Sequence, residues 1–141
     1  MKTKPRVLLL SATSGAGHVR AAQALEKAFL ARGDCAVEHV DALQHVSKLF
    51  QRVYDKAYIS MVRRRPGIEG RPLRPHGPAV AARAAAPCAG CVATHFLPAA
   101  IIACLIAKRK LHARHAIVVT DYDVHAMWLC RTVDRCYCTL L

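Results

Sequence analysis

Apolar positions along the chain fall into two alternating rhythms. Val7, Leu8, Leu9 and Leu10 form a short unbroken run, as a strand buried on both faces would, and it empties into Ser11-Ala12-Thr13-Ser14-Gly15-Ala16-Gly17. From residue 18 the period lengthens. Ala21, Ala22, Leu25, Ala28 and Phe29 recur at helical spacing over residues 18–32, and Gly33 stands where a helix C-terminal glycine belongs. Residues 35–40 read as a strand ending at Asp41, and 42–63 as a second helix with Leu43, Val46, Phe50, Val53 and Ala57 on one face. Residues 91–94 read as strand, Pro98 opens a buried helix at its tolerated first-turn position, and 115–120 read as a strand ending at Asp121. Such alternation predicts one α/β domain, a parallel sheet with helices on both faces. Ligands of such sheets sit at the carboxyl ends of the strands, where His18, Asp41, His95 and Asp121 all fall.

The first of these ends carries the most chemistry. Glycines at 15 and 17 let the backbone turn sharply and bring bare N–H groups near a ligand, and the helix start adds unpaired donors and partial positive charge. His18 is mounted on that turn, where an imidazole can take a proton from a hydroxyl. A dinucleotide fingerprint would place a third glycine three residues beyond Gly17, and that position is Arg20, which weakens a nicotinamide-cofactor reading. Asp121, Asp123 and His125 alternate as a metal-binding set does, yet carboxylates after a strand also cap helices and bind hydroxyls. Trp128, the lone tryptophan, reads as core.

Residues 64–90 break the pattern, being rich in Arg, Pro, Gly and Ala without a sustained period, and they read as a flexible basic loop. Lys and Arg outnumber Asp and Glu by 21 to 9, a net charge of +12, which calls for an anionic partner or surface. The run 7–10 falls short of the roughly 7 to 15 apolar residues of a secretory signal, and 96–107 falls short of the roughly 20 that span a bilayer. A cytoplasmic protein is expected. Seven cysteines are an odd set without the spacing of a disulfide framework, so most are expected to be small core residues in a reducing compartment. Cys88-x-x-Cys91 with His95, and later Cys130, Cys136 and Cys138, permit a zinc site, but Cys136 and Cys138 alternate in what reads as a strand, which favours a structural role.

Three blocks carry a family pattern. The segment from Ser11 to Ala22 with its Gly-Ala-Gly-His, then Thr94-His95-Phe96-Leu97-Pro98-Ala99, then the run from Val118 to Trp128 followed by Val133-Asp134-Arg135, resemble the monogalactosyldiacylglycerol synthase and processive diacylglycerol glycosyltransferase family. The resemblance spans residues 6–63 and 91–138. It implies a Rossmann-like sheet equivalent to the N-terminal, acceptor-side half of a two-domain GT-B glycosyltransferase. It also implies hexosyl transfer from a UDP-sugar to the free hydroxyl of diacylglycerol, at an anionic membrane surface to which the protein binds peripherally, with no metal or other cofactor. By the same resemblance His18 is the base, Gly15 and Gly17 shape the loop at the diphosphate, and His95, Asp121, Asp123 and His125 line the substrate side. The donor-binding half would lie outside residues 1–141, so this polypeptide alone is expected to turn over little or no substrate. The competing classes are a basic module binding nucleic acid or an anionic surface, and a dinucleotide-binding oxidoreductase domain. Nucleic acid is not the expected partner, since eight aromatic residues and no recognised motif argue for it weakly.

Family members carry aromatic, helical segments where this chain has 64–90. An altered reading frame or a partial gene product would produce that stretch. Translating the coding DNA in all three frames is expected to reveal an aromatic-rich helical segment there, and its absence from every frame rejects the idea.

Overall fold

A strand without polar gaps has to be covered on both sides, and the leucine run becomes an interior strand of the sheet. The computed structural model describes residues 4–45, 80, 82, 88–121 and 128–138. Strand β1 (Arg6–Ser11) lies between β2 (Ala36–Asp41) and β3 (Gly90–Ala93), with β4 (Arg114–Val118) and then β5 (Arg135–Tyr137) beyond, in the order β2-β1-β3-β4-β5. Every pairing is parallel. The expected Rossmann-like α/β sheet with flanking helices is therefore what the chain forms. The strand order reverses direction between β1 and β3, and at such a switch point the loops leaving two neighbouring strands diverge and open a crevice.

Helix α1 (Ala16–Arg32) packs on β1 and β2, and helix α2 (Phe96–Ala107) on β3, β4 and β1. Because strand side chains alternate, Leu8, Leu10, Val40, Cys91, Ala93 and Ile117 join the α2 side of the core, while Ser11 and His39 point the other way. On that side the Ser11 hydroxyl lies 2.9 Å from His39 Nε2, and His39 Nδ1 lies 3.7 Å from Glu26 of α1. Helix α2 is apolar all round and buries Phe96, Leu97, Ile101, Ile102 and Leu105. Each large apolar side chain fully removed from water contributes about 1.5–3 kcal/mol, so this one helix dominates the core on its face.

Gly33 ends α1 in the left-handed conformation (φ 69°), its N–H donating to Phe29 O, as its position in the sequence predicts. Helix α2 starts two residues before Pro98, because the His95 ring caps it by accepting the Leu97 N–H at 3.1 Å. The second predicted helix begins differently. Asp41 Oδ1 accepts both Leu43 N–H and Thr13 N–H, which tightens Ala42–His45 into a 3-10 turn and ties it to the loop after β1. Residues 46–63 lie outside the described residues, as does most of 64–87; within the stretch expected to be loop, Val80 is helical and fully buried in the α2 core. Two of the cysteines depart from expectation. Cys35 and Cys91 are buried, but Cys136 and Cys138 are exposed, because β5 is the edge strand with its residues open to solvent. Among the described residues no helix is long and apolar enough to cross a membrane.

His115 on β4 is fully buried opposite Cys91, and its backbone N–H donates to Asp134 Oδ2 at 2.6 Å. Burial pushes its imidazole below the ordinary value of 6.5, opposed by the Thr132 backbone and the Asp134 carboxylate. Folded protein therefore binds this proton less readily than unfolded chain. Its stabilising contribution is complete above the ordinary value and is lost as pH falls below it. The thermal midpoint should fall between pH 7 and pH 5, less steeply in His115→Phe and His115→Gln than in the parent chain. Equal slopes in all three would show that His115 does not drive the dependence.

Candidate functional site

The loops leaving β1, β3 and β4 meet at the carboxyl edge of the sheet around His18. Gly15 precedes α1 with φ 144°, a conformation that side-chain-bearing residues rarely adopt, and it aims the first turn of α1 back over the strand ends. His18 is the third residue of α1 and is only 6% exposed.

Thr94, just past β3, holds His18 twice. Its hydroxyl donates to the His18 carbonyl at 2.8 Å, and its own carbonyl lies 3.1 Å from His18 Nδ1. Thr120, just past β4, hydrogen-bonds to the same Nδ1 and donates its hydroxyl to the Thr94 carbonyl at 3.1 Å. A carbonyl oxygen can only accept, so the proton of neutral His18 is assigned to Nδ1 and the lone pair to Nε2. That orientation readies Nε2 to take a proton.

Asp121 faces that atom, with Oδ1 3.8 Å from His18 Nε2. The gap is too long for a hydrogen bond but lies within ion-pair distance. The carboxylate would steady an imidazolium formed there. Its other oxygen accepts the Trp128 indole N–H at 2.8 Å, which orients it. His95 is fully buried beneath His18, ring centroids 4.5 Å apart and edge to face, and stacks against Phe96 at 4.3 Å. Beside this cluster an apolar groove of about 300 Å³ is lined by Ile117, Trp128, Leu129, Cys130, Arg131, Val133 and Cys136. Trp128 belongs to both the groove and the carboxylate's support.

Of the residues picked out from sequence, His18, His95 and Asp121 converge. Gly15 adjoins them, and a Cβ on it would sit 3.5 Å from the His18 ring. Gly17 lies in the first turn of α1 with open space around it. Asp41 is elsewhere, capping the turn after β2. Asp123 and His125 lie outside the described residues, and among the described residues no group of three or more His, Cys, Asp or Glu is placed to hold a metal. Sequence reasoning passed over Thr94 and Thr120, and read Trp128 as core alone. Their only signal was position: each threonine stands within two residues of a strand's carboxyl end.

Residues 89–140 match the family model described as monogalactosyldiacylglycerol (MGDG) synthase. No curated protein and no solved structure matches the chain. The match takes in the blocks beginning at Thr94 and Val118 but not the Gly-Ala-Gly-His block, which the fold joins to them through the contacts of His18 with Thr94, Thr120 and Asp121.

The two glycines should respond oppositely to alanine. Gly15→Ala forces a Cβ into a strained backbone against the His18 ring and is expected to lower stability by about 1–3 kcal/mol. Gly17→Ala meets nothing within 4 Å and should be neutral or stabilising by up to about 1 kcal/mol, since alanine is the better helix former. Urea unfolding of both variants measures the contrast.

Proposed function

We propose that the chain is the acceptor-side part of a glycolipid-synthesising glycosyltransferase that moves a hexose from a UDP-sugar to the free hydroxyl of diacylglycerol. The match of residues 89–140 to the MGDG synthase model carries the general class, glycosyl transfer in glycolipid biosynthesis. The observation that supports a role in the chemistry is the arrangement at His18: one ring nitrogen engaged by Thr94 and Thr120, the other facing Asp121 at 3.8 Å.

In this reading His18 Nε2 removes the proton from the acceptor hydroxyl as its oxygen attacks the anomeric carbon of the donor. The Asp121 carboxylate, oriented by Trp128, balances the positive charge gained by the imidazole. Gly15 and the start of α1 offer backbone N–H groups toward the departing diphosphate. His95 supports the site from below, as the cap of α2 and the edge-on partner of His18. The apolar groove beside Trp128 suits the glycerolipid end of an acceptor. Asp123 and His125 are proposed for the same substrate side. The net charge of +12 suits an anionic membrane surface, where each basic side chain contributes on the order of 1 kcal/mol.

A polypeptide carrying residues 1–141 together with a donor-binding half, assayed with radiolabelled UDP-glucose or UDP-galactose and diacylglycerol vesicles, is expected to form labelled glycolipid. A general base is worth about 10²–10⁴ in rate. His18→Ala should therefore reduce turnover by about a hundredfold or more, and Asp121→Asn by a smaller factor. Turnover unchanged in His18→Ala would reject the assigned base, and no transfer from either donor by the polypeptide that carries both halves would reject the reading.

A further inference from the structure

A second cluster of reactive side chains lies at the opposite edge of the sheet, where β1 and β3 begin. Cys88 precedes β3 and is partly exposed, whereas Cys91 sits within β3 and is 1% exposed. Their sulfurs are 3.9 Å apart. The Cys88 thiol donates to the Gly90 carbonyl at 2.9 Å and lies 3.5 Å from the Arg6 carbonyl.

We propose that Cys88 and Cys91 form a redox-active dithiol that exchanges with small-molecule disulfides of the oxidised-glutathione class, apart from the carboxyl-edge site. Three observations support it. The Cys-x-x-Cys spacing brings the sulfurs to within about 2 Å of a disulfide bond length. Cys88 is partly exposed and Cys91 is buried, which divides the roles of attacking and resolving thiol. And among the described residues no third ligand joins them in a metal cluster. The local electrostatics agree on balance: the hydrogen bond with Cys91 holds the Cys88 thiol well below its ordinary range, against the opposing effect of burial and with help from the Gly90 and Leu8 backbone and the Arg6 charge. The same contact, with burial, pushes Cys91 up.

The exchange balances in two displacements. Cys88 thiolate attacks one sulfur of glutathione disulfide, forming a mixed disulfide as the S–S bond breaks and one glutathione thiolate leaves. Cys91 then gives up its proton to solvent and attacks Cys88 Sγ, forming the internal disulfide and releasing the second glutathione thiolate. Two protein thiols are oxidised and one glutathione disulfide is reduced to two glutathiones.

The test is mass mapping of the folded chain after incubation with glutathione disulfide and alkylation of the remaining thiols. The tryptic peptide 84–108 contains Cys88, Cys91 and Cys104. It is expected to lose two hydrogens, with Cys104 alkylated and Cys88 and Cys91 both protected. In Cys91→Ser the resolving thiol is gone and Cys88 should retain one glutathione, whereas in Cys88→Ser Cys91 should remain unmodified. Cys88 staying free while exposed Cys136 and Cys138 gain glutathione would overturn the proposal, as would a bond from Cys88 to any other cysteine. Stoichiometric zinc in the native mass spectrum, protecting both thiols from oxidation, would overturn it in favour of a metal.

Discussion

The double hold of Thr94 on His18 is the constraint on which the site depends. One residue at the end of β3 takes the backbone of α1 by its hydroxyl and the imidazole by its carbonyl, so neither the helix nor the ring can turn without leaving buried polar groups unpaired. A buried donor or acceptor without a partner is penalised by about 1–3 kcal/mol, a large fraction of the stability of a small domain. The sheet order makes this possible. Only because β3 is inserted beside β1, across a long stretch of intervening sequence, does Thr94 arrive under the first turn of α1.

From that hold the remaining contacts follow in sequence. Thr120 reaches the same nitrogen because β4 lies next to β3 in register, and Asp121 faces the other nitrogen because it is the next residue along. Trp128 then sets the carboxylate while forming a wall of the apolar groove. Parallel strands place all such loops at one edge, so residues 76 and 102 positions apart in the chain act on one imidazole. The opposite edge, free of these demands, is where the cysteine pair lies. Its proximity is local in origin, since the two cysteines are separated by only two residues.

Much of this was legible in the residues. The apolar run at 7–10, the helical spacing of 18–32 closed by Gly33, and strands ending at Asp41 and near Thr94 and Thr120 all encode local conformation through backbone preference and periodicity, and each forms close to where it reads. Cys136 and Cys138 were misjudged for a physical reason. Alternation shows that Cys136 and Cys138 differ in orientation from Tyr137 but not whether their strand lies inside the sheet or at its edge, and an edge strand exposes both faces here. Asp41 read as a strand-end residue like Asp121, yet its carboxylate is occupied by two backbone N–H groups.

By itself, the sequence determined the alternation of elements, the parallel sheet with flanking helices and the candidacy of His18, His95 and Asp121, because these rest on spacing and on what each side chain can do. Tertiary structure alone decided which of them meet. It brought His18 against Thr94 and Thr120, gave His95 the task of capping α2, recruited Trp128 to Asp121 and left Asp41 outside. Strand order is set by how all the apolar faces are covered at once, so contacts across it are not written in any local stretch of the chain.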